Sequence, residues 1–147
     1  MQPMLLMPIA IGVVLIGATV LTHVVGLMLI NSIATHLRER LRLHRTPHRI
    51  AVMVAVVLGL FGVVTVEIWI WTLAYLVLGV AAGLESALYL STVTFATVGY
   101  GDVVPASAWR MLAALEGVTG FLMIGWSTAY LVAAGMRFGP FKPGEHF

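Results

Sequence analysis

The sequence predicts an all-α membrane protein: three transmembrane helices, with a re-entrant helix and loop between the second and the third. Three observations predict it. Of the 147 residues, 61% are hydrophobic and only 10% are charged, whereas a soluble domain carries roughly a quarter of its residues charged. Apolar runs of crossing length recur along the chain, and the mean hydropathy is +1.03. Between two of these runs lies a stretch, Glu85 to Arg110, that mixes Ser, Thr and Gly with apolar residues. It is too short to cross a bilayer and return as two helices.

The first element rests on a charge-free run. No Lys, Arg, Asp or Glu occurs from Met1 to Leu37, and a span needs about 20 apolar residues. Ile9 to Ile30 supplies them, after Pro3 and Pro8. A secretory signal needs a basic start. Met1-Gln2-Pro3 has none, so a retained helix within residues 1–35 is expected. Residues 36–49 hold five of the eight basic residues and read as a loop. The second helix is expected over 50–80, apolar apart from Glu67, with Trp69, Trp71 and Tyr75 near its end as an interfacial aromatic belt. A short helix is expected over 85–96, a loop over 97–102 and the third span over 108–136, its run from Met111 to Met136 broken only by Glu116. Residues 137–147 form a short tail.

Orientation follows from the basic residues, which concentrate on the cytoplasmic side of a membrane protein. The loop at 36–49 is therefore expected inside, as are Arg137 and Lys142. The N-terminus and the 85–110 segment then lie outside, in the cell (inner) membrane.

The re-entrant segment needs a reason to exist. Non-helical backbone at membrane depth is tolerated only where it is buried in protein or lines water. Gly99 and Gly101 end any helix and admit backbone angles that side chains resist. Glycine at alternate positions lets successive carbonyls point to one axis, where a row of oxygens replaces the hydration shell of a cation.

Thr97-Val98-Gly99-Tyr100-Gly101 is, residue for residue, the filter sequence of potassium channels. The stretch from Leu88 to Pro105 resembles the potassium-channel pore family, and the likeness extends over Ile50 to Met136. The type it looks like is a small prokaryotic pore carrying an extra N-terminal helix. The resemblance implies an outer helix, pore helix, filter and inner helix, and four chains around one axis. It implies that Thr97, Val98, Gly99 and Tyr100 coordinate K⁺, with Gly101 completing the filter and the Thr97 hydroxyl at its inner mouth. It implies that Tyr100 packs its ring outward against the pore helix and that Asp102 sits behind the filter. Tyr89 stands where many members carry a tryptophan that bonds this aspartate, so a Tyr89–Asp102 bond is expected. Val93 stands where some members carry a glutamate. Non-selective relatives replace Tyr100 or Asp102, and this chain keeps both. Gly120 lies nearest the family's inner-helix hinge; Gly120 or Gly125 serves as a gating hinge, or else the glycines of this span serve close helix packing.

Other residues carry open readings. Glu67 and Glu116 are expensive in a membrane; each is either a hydrogen-bonded structural group or an outer-vestibule charge or brace near the filter. Arg38, Arg40, Arg42, Arg45 and Arg49 lack the spacing of a voltage sensor. They set topology, or bind anionic lipid headgroups. His36, His44 and His48 add charge only at mildly acid pH. His23 and Asn31 are expected to contact the second or third helix.

The chain has no cysteine, which excludes disulfides and thiolate metal sites. It presents no catalytic constellation, so it is not expected to be an enzyme. No cofactor is implied beyond K⁺ in the filter. The partners expected are three further copies of the chain and membrane lipid, not nucleic acid. Passive K⁺ conduction is the first reading. A less selective cation channel and a non-conducting regulatory subunit are the others.

Overall fold

The computed structural model describes residues 3–40 and 46–139. It contains four α-helices: α1 (Pro3–Arg40), α2 (Thr46–Val77), α3 (Leu84–Phe95) and α4 (Arg110–Phe138), the last entered through a 3₁₀ turn at Ser107–Trp109. Among the described residues there is no strand. Three helices are long and apolar enough to cross a membrane, over Leu5–Arg40, Pro47–Val77 and Ser107–Phe138. The chain is a multi-pass membrane protein.

The helices overrun the sequence-based boundaries, and each difference has a local cause. α1 takes in Pro3 and Pro8 at its start, because a proline near a helix N-terminus removes few intrahelical bonds. It also takes in residues 36–40, part of the expected loop. Leu37, Arg38, Glu39 and Arg40 are all strong helix formers, and charge alone does not stop a helix. α2 begins at Thr46 rather than Ile50, with Pro47 in its first turn. Arg42, His44 and Arg45 lie outside the described residues, as does Lys142. α2 stops at Val77, short of residue 80, because Gly79 turns left-handed at φ 64° while Val80 N–H donates to the Tyr75 carbonyl. This is a glycine-dependent helix stop.

Contacts fix the directions of the helices. Thr19 meets Trp71, His23 meets Glu67, and Ile30 meets Gly59. Rising along α1 is falling along α2, so the two are antiparallel. Arg49 reaches the Gly139 carbonyl and Tyr75 reaches Glu116, so α2 and α4 are antiparallel as well. Gly12 lies against Leu115, His23 against Trp126, and Asn31 against Arg137. α1 and α4 therefore run parallel, side by side. α3 packs on α2 and α4 and not on α1. One cluster of buried residues near the basic end joins α1, α2 and α4 through Ile30, Val56 and Phe138. A second, near the opposite end, surrounds α3 with Trp71, Tyr75, Phe95 and Leu112.

Two aromatic residues change role. Trp71 and Tyr75 are fully buried rather than interfacial. They lie four residues apart on one face of α2. Trp71 Nε1 donates to Thr19 Oγ1 at 3.0 Å, and Tyr75 Oη donates to Glu116. Their polar tips are satisfied inside the bundle, as buried Trp and Tyr require. Trp69 remains at the surface.

Gly120 and Gly125 differ in what surrounds them. A Cβ at Gly120 would collide with the backbone of Phe95 at the end of α3, while a Cβ at Gly125 would meet nothing within 4 Å. G120A is therefore expected to lower stability by about 1–3 kcal/mol through overpacking. G125A should hold or raise it by about 0.5–1 kcal/mol through helix propensity. Thermal unfolding in detergent reads both. His23 Nδ1 lies 2.9 Å from Glu67 Oε1 with both side chains fully buried. H23L leaves that carboxyl unpartnered and should cost about 1–3 kcal/mol. The double variant H23L/E67L should recover most of the loss.

Candidate functional site

The segment joining α3 to α4 is held by the end of α3. Val93 O accepts from Val98 N at 2.9 Å and from Gly99 N at 3.0 Å, and Thr94 O accepts from Thr97 N at 2.9 Å. The chain thus folds back on the last carbonyls of its own helix and then leaves it. Beyond this point the backbone alternates in handedness. Thr97, Gly99 and Gly101 have φ of 59°, 52° and 82°, while Val98 and Tyr100 stay at negative φ. Alternation of this kind turns successive peptide groups to a common side, as a row of carbonyls facing one axis requires. Glycine adopts it freely. Thr97 does not: a left-handed non-glycine residue costs about 1–3 kcal/mol and persists only where its surroundings hold it.

The far end of the loop is clamped. Tyr89 Oη donates to Asp102 Oδ2 at 2.7 Å, and Val103 N–H donates to Asp102 Oδ1 at 3.0 Å. The bond expected from sequence between Tyr89 and Asp102 is therefore present, linking α3 to the residue that closes the loop. The Tyr89 hydroxyl holds the Asp102 carboxyl below its ordinary value. The same bond raises the Tyr89 hydroxyl.

The loop itself is uncovered. Every residue from Ala96 to Asp102 is exposed. Tyr100 is 74% exposed, so most of its ring is left free by its own chain. This differs from the expectation of a ring packed on the pore helix, and the cause is that a single chain presents no wall on that side.

Behind the loop, on the side of α2 and α4, the packing is close and polar. Glu116 is fully buried. It accepts from Tyr75 of α2, and Ser91 Oγ of α3 lies 2.6 Å from its Oε1. Ser91 Oγ is also 3.0 Å from the Ile68 carbonyl of α2. Of the two readings of Glu116, the geometry excludes an exposed vestibule charge. Glu67 is buried too, two turns along α2 from Tyr75, where it meets His23. Sequence reasoning missed Ser91 and Tyr75. A hydroxyl on each of two helices opposite a lone intramembrane carboxyl was the available signal. Among the described residues no group of three or more His, Cys, Asp or Glu side chains is placed to hold a metal ion.

Protein LctB of Bacillus caldotenax and Protein LctB of Geobacillus stearothermophilus are each 48% identical to the chain over 40 residues. That stretch is 27% of this chain and spans only 30% of either relative's length. No solved structure matches. A family model described as an ion channel matches residues 63–137, just over half the chain, and takes in the second half of α2 with all of α3, the loop and nearly all of α4; the chain belongs to this ion channel family.

Proposed function

We propose that the chain is one subunit of a homotetrameric potassium-selective channel, conducting K⁺ passively and catalysing no reaction. The observation that carries this reading is the left-handed backbone at Thr97, Gly99 and Gly101, set in the sequence Thr-Val-Gly-Tyr-Gly. Carbonyls of Thr97, Val98, Gly99 and Tyr100 from four chains replace the water shell of K⁺. Gly101 and the Tyr89–Asp102 clamp hold the filter at its outer end. The carbonyl end of α3 adds partial negative charge at its inner mouth.

Oligomerisation is supported by the exposure of the loop. Non-helical backbone at membrane depth must be covered by protein or line water. One chain leaves Ala96 to Asp102 uncovered, and a ring of copies supplies both a wall and an aqueous axis. The remaining assignments complete the reading. The 50–136 region is the pore unit and the first helix a peripheral addition. Gly125, unlike Gly120, has open space around it and serves as the hinge. The basic end with Arg38, Arg40 and Arg49 faces the cytoplasm and anionic headgroups, and the N-terminus lies outside the cell membrane.

Purified protein in liposomes tests this. With K⁺ on one side and Na⁺ on the other, the reversal potential should approach the K⁺ equilibrium value, and Ba²⁺ should block the flux. A reversal potential near zero with intact flux points to a less selective cation channel. Absence of flux points to a non-conducting subunit. Either result overturns the potassium reading.

A second measurement concerns the clamp. The Tyr89 bond favours the ionised form of Asp102 in the folded state. Its contribution is therefore present above the ordinary carboxylate range and is lost as pH falls through the lower folded value. K⁺ flux in wild type should persist further into acid than in Y89F, where the Asp102 pKa returns upward. Coincident acid profiles of the two would remove the clamp from the filter's support.

A further inference from the structure

Glu116 is fully buried inside the bundle, away from the exposed loop. Its carboxyl joins three helices at once: its own α4, α2 through Tyr75, and α3 through Ser91 at 2.6 Å. A leucine would fill similar volume without the cost of a buried carboxyl in a membrane. What the carboxyl adds is two acceptor atoms at fixed separation, one for each hydroxyl. Ser91 lies one helical step before the filter's anchor: two residues on, the Val93 carbonyl accepts from both Val98 and Gly99. The opposite side of the α3 terminus is set by Phe95 lying directly on Gly120, one turn along α4 from Glu116. The end of α3 is thus fixed by a hydrogen bond on one side and a backbone contact on the other, both supplied by one turn of α4.

We propose that Glu116 is a positioning residue for the filter. Through Ser91 and Tyr75 it fixes the depth and rotation of α3, and hence of the Val93 carbonyl on which Val98 and Gly99 hang. Discrimination between K⁺ and Na⁺ then depends on a carboxyl that never meets the ion. Tyr89 and Asp102 tie the loop's far end, and Glu116 reaches the same helix from α4 through Ser91. The inference rests on the potassium reading above.

The test is the reversal potential in a K⁺/Na⁺ gradient, measured on purified wild type, S91A, Y75F, E116L and E116Q in liposomes. This quantity does not depend on how many channels fold, so a merely structural tie would leave it unmoved. S91A and E116L should lower the K⁺/Na⁺ permeability ratio by about tenfold, the scale of one lost buried hydrogen bond. E116Q should stay within about threefold of wild type, since its amide accepts from Ser91 and donates to the Tyr75 oxygen. S91A and Y75F each delete a single hydroxyl and keep the readout available should E116L fail to fold. A selective wild type with unchanged ratios in S91A and Y75F overturns this inference alone, even where the yield of folded protein falls. A wild type without selectivity overturns the potassium reading, and this inference with it.

Discussion

The structure depends on one constraint: in a bilayer every backbone N–H and C=O needs a partner from the protein or from water. Three helices meet it internally. The segment from Ala96 to Asp102 does not, and the architecture around it follows from that exception. α3 ends where it does so that its last carbonyls can take the amides of Thr97, Val98 and Gly99. The Tyr89–Asp102 bond closes the other end. What is left over is a row of backbone oxygens without partners in the chain. In lipid that row would be prohibitive; in the assembly proposed above it lines an aqueous axis.

Holding such a loop still requires a scaffold with a single register. Between transmembrane helices apolar burial discriminates poorly, because lipid tails are as apolar as leucine. Close approach and buried polar ties do the discriminating. Here they form a series across the bundle. Thr19 with Trp71 and His23 with Glu67 set the register of α1 on α2. Ser91 and Tyr75 on Glu116 set that of α3 and α2 on α4. Asn31 with Arg137 and Arg49 with the Gly139 carbonyl fix the basic end. Sliding any helix by one residue would strand several of these groups at once.

The sequence made some of this legible and hid the rest for physical reasons. The loop was readable because its information is local: glycine at alternate positions states a backbone conformation directly, and Tyr89 and Asp102 are only 13 residues apart. The spans were readable from charge-free length. Helix ends were not, because Arg38, Glu39 and Arg40 are both charged and helix-forming, and only the second property governs the backbone. Trp71 and Tyr75 were misplaced because position along a span gives depth but not azimuth. Whether an aromatic ring faces lipid or protein is decided by the helix packed against it. For the same reason Glu116 was recognisable as costly, while its partners on α2 and α3, 41 and 25 residues away, were not.

The same packing divides α4 into parts with different freedom. Its first half is bound to the filter support: Glu116 is tied to two helices, and Gly120 is pressed on the backbone of Phe95. Bending there would drag α3 and with it the Val93 carbonyl. Past Gly120 the restraints are of another kind. Gly125 has open space around it. Trp126 touches His23 only by ring contact at 5.2 Å, and the hydrogen bond from Arg137 to Asn31 is exposed. Beyond Gly125, Ala134 and Phe138 are still buried against α1 and α2, and Arg49 holds the Gly139 carbonyl. Movement about that glycine must therefore repack this basic end while it leaves every bond to α3 intact. In the channel proposed above, bending at Gly125 moves the inner end at the cost of that repacking and leaves the loop fixed, because the hydrogen bonds that tie α4 to α3 and hold the loop all lie on one side of that glycine.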